Sequence, residues 1–282
     1  MRNTKPLGLA AMAAAAALTL TACGGGEEQA GGGETGGSGE SVRIGIKYDQ
    51  PGLGFRDGDE YTGFDVDVAT YVANELGYSE DQIEWVESPS ANRENMLAND
   101  QVDMIFATYS ITDERDQTVD FAGPYFVAGQ DLLVRAEDNS IQGPADLEGK
   151  NLCSVTGSTS AQRVKEDQPG ANLVEQPGYA DCLTALESGQ VDAVTTDDII
   201  LAGLAATDAN QGKFKVVGNT FSEERYGVGL PQGSDQCEAV NEAITKMIDE
   251  GAWEEAVTAN TEGADYSYNE ELNPPEMEPC GE

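Results

Sequence analysis

The chain has 282 residues, of which 52 are Asp or Glu, 15 are Lys or Arg and none is His, giving a formal net charge of -37 at pH 7. Such a charge repels nucleic acid and anionic membrane surfaces at long range, so nucleic acid is not expected as a partner, and an anionic ligand has to be held by local cations. The absence of His excludes imidazole metal sites and imidazole-based catalytic triads, while 39% hydrophobic residues suffice for one large core or two modest ones.

The N-terminus, MRNTKPLGLAAMAAAAALTLTACGGG, joins a basic start (Arg2, Lys5) to an apolar stretch over 7–20 that is short for a membrane span. It reads as an export signal over 1–22. Leu20, Thr21, Ala22 and Cys23 resemble the lipobox of bacterial lipoproteins, which implies cleavage before Cys23, lipidation of its sulfur and a protein held at the outer face of the cell membrane. A plain secretory signal with an incidental Cys is the alternative. Residues 23–40, rich in Gly and Glu, read as a flexible tether of roughly 20–25 Å.

From residue 41 the pattern alternates. SVRIGIKY predicts a strand, and GFDVDVATYVANELG a helix with Val68, Val72 and Leu76 on one face and Gly77 as its C-cap. QIEWVES predicts a strand, ANRENMLAND a helix and QVDMIFA a strand, the grammar of a parallel sheet covered by helices. The pattern restarts after Gly129: DLLVRA (strand), GPADLEGK (turn and short helix), NLCSV (strand), STSAQRVKED (helix), NLVEQ, YADCLTALESG (helix), VDAVTT (strand), DDIILAGLAAT (helix), with KFKVVG closing the unit. RYGVGLPQ predicts a further strand, and CEAVNEAITKMIDEGAWEEAV one long amphipathic helix. The fold class is therefore α/β with two lobes: 41–130 and the returning segment 225–262 form the first, 131–224 the second. The chain is expected to cross twice between them, near 129–133 and 222–228, as a two-stranded hinge. Residues 263–282, acidic and proline-containing, are expected to be an irregular tail.

Five cysteines are an odd number for an exported chain. With Cys23 lipidated, Cys153, Cys182, Cys237 and Cys280 remain, and three pairings are open. Cys153 with Cys182 and Cys237 with Cys280 are expected, because each pair closes a loop inside one lobe or its tail. No CxxC spacing supports a zinc site, and no metal or cofactor is expected.

Several polar residues fall where strands give way to helices, at the crevice that is the usual ligand site of such folds. In TYSITDER, a strand ending at Tyr109 or Ser110 and a helix starting near Thr112 would gather Thr108, Ser110 and free N–H groups into an anion site. Arg115 then lies in a first turn, unfavourable for a cation unless a ligand, or Asp113 and Asp116, balances it. Ordinary capping and surface pairing is the competing reading. In VTGSTSAQ, Ser158, Thr159 and Ser160 head a second helix, again as a ligand site or as an ordinary cap. The VDAVTT strand ends on Asp197 and Asp198; one can cap the next helix and the other can accept from an ammonium. An arginine with hydroxyls and an aspartate together describe a site for an amino-acid zwitterion.

The segments IGIKYDQPGLGF, GFDVDVATYVANELG, the block from ANRENML through SITDER to DFAGPYF, VTGSTSAQ and VDAVTTDD resemble the polar amino acid-binding proteins of bacterial ABC importers, solute-binding protein family 3, and within it the glutamate-binding lipoproteins of high-GC Gram-positive bacteria. The resemblance runs from about Val42 to about Val257 and implies a type II periplasmic-binding fold, a monomer, and delivery of the ligand to a membrane permease. It also implies roles: Arg115, Ser110, Thr159 and Ser158 for the ligand α-carboxylate, and Asp197 with Thr108 for the α-ammonium. Lys47 and Arg93 match positions where acidic-amino-acid binders carry cations, so they would read the ligand side chain. An exposed strand end for Lys47 and an ion pair of Arg93 with Glu94 or Glu87 are the alternatives. Tyr48 and Phe55 are candidates for the pocket wall. L-Glutamate is the leading ligand, ahead of aspartate or glutamine; the rival reading is an enzyme like the cyclohexadienyl dehydratases, which share the fold.

Overall fold

The computed structural model describes residues 41–281; the expected signal segment, the tether and Cys23 lie outside them. Strand β1 (Val42–Ile46) is an inner strand of the first sheet, with Ile44 and Ile46 fully buried. It pairs in parallel with β4 (Ile83–Glu87) and β5 (Met104–Phe106). The sheet is completed by β12 (Glu224–Pro231) and β6 (Val119–Ala128), giving the order β4-β1-β5-β12-β6. The β6–β12 pair is antiparallel, from Val119 opposite Pro231 to Ala128 opposite Glu224.

The second sheet contains β7 (Gln130–Arg135), β8 (Asn151–Val155), β9 (Asn172–Gln176), β10 (Ala193–Asp197) and β11 (Phe214–Val216), in the order β11-β7-β10-β8-β9. Only Gly129 separates β6 in one sheet from β7 in the other, and the chain returns between Val216 and Glu224. Helices α1 (Phe64–Glu75) and α2 (Arg93–Ala98) belong to the first lobe; α3 (Thr159–Asp167), α4 (Tyr179–Glu187) and α5 (Asp198–Ala206) belong to the second. Along α1 the apolar stripe Val68, Val72 and Ala69 is buried, which is what its spacing dictates.

Three local features differ from the sequence reading. A two-stranded hairpin, β2 (Phe55–Asp57) with β3 (Glu60–Thr62), forms in a segment whose pattern is too short to signal it. The long helix expected from Cys237 is two helices, α6 (Cys237–Asp249) and α7 (Ala252–Thr261). Gly251, at φ 81, turns the chain between them, and the new direction sends Trp253 into the first lobe, where its indole N–H donates to the Tyr125 carbonyl at 2.7 Å. No α-helix follows Thr112; a single 3-10 turn occupies Arg115–Gln117.

Disulfides join Cys153 in β8 to Cys182 in α4, with Cα atoms 5.6 Å apart, and Cys237 at the start of α6 to Cys280 in the tail, 5.9 Å apart. The tail has no regular structure but is attached to the first sheet: the buried Asn273 amide pairs with both the N–H (2.9 Å) and the carbonyl (2.8 Å) of Val127 in β6.

Candidate functional site

Lys47 follows β1 directly and points inward. Its side chain is only 3% exposed, with Nζ 3.4 Å from Ser90 Oγ and 3.8 Å from Asp49 Oδ1, and burial lowers its pKa. Arg93 opens α2 and is 2% exposed. Its guanidinium lies over the Tyr109 ring at 4.1 Å and its Nη1 donates to the Ala107 carbonyl at 2.9 Å, while its Nε has no partner. Burial, together with the nearby positive charge of Arg115, pulls the Arg93 pKa down to about 10. Neither alternative reading of these cations fits, for Lys47 is not an exposed strand end and Arg93 makes no ion pair with Glu94 or Glu87.

Beyond β5 the chain takes an unusual path. Thr108 adopts a left-handed conformation at φ 45. Its N–H donates to the fully buried Asp65 Oδ2 at 3.0 Å, and Asp65 Oδ1 accepts from the Tyr125 hydroxyl at 2.8 Å. Thr108 Oγ1 is within 3.2 Å of Gln50 Oε1. Ser110 then bridges to Tyr226 of β12, which draws the chain out straight and leaves no room for a helix before β6. There is accordingly no helix N-terminus to attract an anion at Thr112. Arg115 also has partners other than Asp113 or Asp116: Nη1 donates to the Ser110 carbonyl (2.7 Å) and Nη2 to the Gly157 carbonyl of the other lobe (3.0 Å), with Glu94 at 3.4 Å and the Tyr109 ring at 4.9 Å. Each terminal nitrogen retains a second N–H. One tyrosine ring therefore carries two guanidiniums.

From the second lobe, Ser158 caps α3, accepting from the Ala161 N–H at 3.0 Å, and Thr159 Oγ1 lies 3.4 Å from Ser110 Oγ across the cleft. Asp197 ends β10 with 3% exposure; the Tyr226 hydroxyl donates to its Oδ2 at 2.6 Å and the Ser160 hydroxyl reaches its Oδ1 at 3.4 Å. Asp198 is the carboxylate that serves the backbone, accepting from the N–H groups of Gly129 and Ile199. Asp197 is thus the spare one. Burial, with Glu224 nearby, pushes its pKa up to about 8, and burial raises Asp65 and Asp198 to about 6.

Arg93, Thr108, Thr159, Ser158 and Asp197 line one cavity of about 10 Å3 between the lobes, together with Gln50 and Tyr179, which the sequence did not single out. Its walls approach so closely that little more than a water fits, so an amino acid enters only when the lobes part. Arg115 lines an adjoining outer cavity, open to solvent, that shares Ser90 and Ser158 with the inner one. Tyr48 and Phe55 line neither: the Tyr48 hydroxyl donates to the Trp85 carbonyl and its ring meets Tyr61, while Phe55 pairs with Thr62 in the hairpin. Gln50 lies inside the IGIKYDQPGLGF segment and Tyr179 heads α4, but only the folded chain brings both to the cleft.

The raised carboxyl groups set a pH dependence. Free carboxyls titrate at 3.8, whereas Asp65 and Asp198 hold protons to about 6 and Asp197 to about 8, so between these values the folded state binds more protons than the unfolded one. Stability contributed by these groups is therefore complete below pH 3.8 and lost as pH rises through about 6 and then about 8. The Tm of the ligand-free protein is expected to fall from pH 5 to pH 8.5, and more gently in Asp197→Asn. Scanning calorimetry at both pH values checks this; a Tm that rises over the interval contradicts it.

Residues 42–259 match the family model for bacterial extracellular solute-binding proteins, family 3. The chain is 44% identical over 277 residues to the glutamate-binding protein GluB of Corynebacterium efficiens, spanning 93% of this chain and 92% of that protein. It is 36% identical over 220 residues to the ABC transporter glutamine-binding protein GlnH of Bacillus subtilis, spanning 77% and 79%. Among solved structures, an ancestral arginine-binding protein bound to glutamine superposes with a TM-score of 0.72 at 32% identity over 78% of this chain and 96% of that one. The GluR0 ligand-binding core of Nostoc punctiforme in complex with L-glutamate gives a TM-score of 0.68 at 26% identity, over 77% and 98%. These neighbours share the two-lobed type II periplasmic-binding fold, and the tail after residue 259 lies outside the matched region. With mixed sheets on either side of a polar cleft and a match along most of its length, the chain belongs to the bacterial extracellular solute-binding proteins, family 3.

Proposed function

We propose that this protein captures an acidic amino acid, L-glutamate, between its lobes and delivers it to the permease of an ABC transporter. The observation that carries the reading is Arg93, a buried cation that among the described residues has no partner for its Nε and no ion pair, set beside the buried Lys47 and in one cavity with the spare carboxylate of Asp197. Two carboxylates and one ammonium complement that arrangement. Asp197, with the Thr108 oxygen, takes the α-ammonium; Arg115, Ser110, Thr159 and Ser158 take the α-carboxylate from the mouth of the cleft; Lys47 and Arg93 take the side-chain carboxylate. A glutamine side chain would leave the buried Arg93 guanidinium without an ion-pair partner among the described residues, a costly arrangement, while Lys47 keeps Asp49 at 3.8 Å. The names of the similar glutamate- and glutamine-binding proteins support the ligand class.

The ligand leaves chemically unchanged, so the protein acts as a receptor and not as a dehydratase of prephenate or arogenate. Lipid on Cys23 holds the monomer at the outer face of the membrane through the 23–40 tether, and mass spectrometry of the N-terminal peptide from the membrane fraction reads that modification. Calorimetry with the twenty amino acids tests the ligand. Binding of L-glutamate at micromolar Kd or below, at least tenfold tighter than L-glutamine, is expected. Heat for glutamine or arginine and none for glutamate refutes the acidic ligand.

A further inference from the structure

Asp49 lies in the loop after β1, in the first lobe, 30% exposed, with Oδ1 3.8 Å from Lys47 Nζ. Its other oxygen reaches across the cleft: Oδ2 accepts from the Tyr179 N–H, the first residue of α4, at 3.1 Å. The N-cap of α4 is Gly178, which has no side chain to accept that N–H, and no other side chain caps the helix. The backbone at Gly178, φ -145, is one that any residue adopts, so glycine is not required for its conformation. Its bareness leaves room for the contact, because a Cβ there would come within 2.9 Å of Asp49 Oδ2 and push that carboxylate aside. Tyr179 itself lines the inner cavity, and its hydroxyl reaches Thr196 Oγ1 at 2.5 Å, next to Asp197.

We propose that Asp49 is a positioning residue that latches the lobes. Its carboxylate, held beside Lys47, supplies the missing N-cap of α4 only when the cleft closes. Closure thereby converts an orphan N–H and the positive end of a helix in one lobe into a charge-assisted contact with the other. Because the contact touches no ligand atom, it lengthens the lifetime of the loaded form for any amino acid the cleft accepts. The latch presupposes amino-acid capture, whichever amino acid is bound.

Stopped-flow kinetics on the mature full-length protein separate the steps, using L-glutamate or the amino acid that calorimetry shows the wild type to bind. In Asp49→Ala the dissociation rate is expected to rise roughly fivefold, the usual effect of losing an N-cap, with the association rate within about twofold of wild type. Asp49→Asn, which still presents an accepting oxygen, restores most of the slow dissociation. Gly178→Ala, whose methyl displaces the carboxylate, behaves like Asp49→Ala. Unchanged dissociation in Asp49→Ala, or equal loss in the Ala and Asn variants, overturns the latch while leaving capture intact. A wild type that binds no amino acid refutes capture and the latch together.

Discussion

Asp197→Asn is expected to raise the Kd for L-glutamate, and for every other amino acid the cleft accepts, by about a hundredfold, while leaving the folded protein at least as stable. The side chain is nearly isosteric, and its remaining oxygen can still accept from the Tyr226 hydroxyl that now meets Asp197 Oδ2. What disappears is the negative charge. Removing one partner of a buried charge pair costs about 2–5 kcal/mol in binding, and the proposed partner is the ammonium common to all amino acids. In the ligand-free protein the same charge is disfavoured, as the pKa near 8 shows, so neutralising it relieves the fold. Calorimetric titration beside a thermal melt reads both effects. A Kd within fivefold of wild type would show that the ammonium binds elsewhere.

Arg93→Met is the second. It should weaken L-glutamate by about a hundredfold or more and leave L-glutamine much less affected, so that the preference between the two narrows or inverts. Methionine fills a similar channel and can lie on the Tyr109 ring, which Arg93 now covers at 4.1 Å. It also removes a cation whose burial pulls its pKa to about 10, so the variant should melt no lower than wild type. Arg93→Lys should not restore the preference, because a point ammonium replaces a planar fork that also donates to the Ala107 carbonyl. If Arg93→Met binds glutamate normally, Lys47 alone, or Arg115, carries the second carboxylate. Neither variant is expected to lose stability as it loses function, the trade expected of a site whose charges await a ligand.

Several residues of this cleft were visible in the sequence as types at strand ends: hydroxyls and an arginine in TYSITDER, GSTS, and a pair of aspartates after VDAVTT; the lysine after IGI is buried against Ser90 and lines neither cavity. Which aspartate is spare was not visible, because that depends on Asp198 facing the Gly129 N–H, a residue 69 positions away. The helix read from Thr112 failed for a similar reason. Its local signals were sound, but the bridge from Ser110 to Tyr226 and the hydrogen bond from Thr108 to Asp65 are long-range and overrule a short local preference. Tyr48 and Phe55 were read as candidates for the pocket wall. Instead the Tyr48 ring meets Tyr61, which in turn meets Trp85, and Phe55 pairs with Thr62 in the hairpin.

Periodicity by itself determined the alternation of strands and helices and the apolar faces that build two α/β lobes, since both are properties of neighbouring residues. Composition determined that an acidic ligand needs private cations. The tertiary structure alone decided where those cations stand, that Arg93 is buried with no partner for its Nε among the described residues, which cysteines meet, and that Asp49 reaches a helix in the opposite lobe. Those are contacts between residues 29 to 130 positions apart, and a one-dimensional pattern holds no information about which distant side chains close packing brings together.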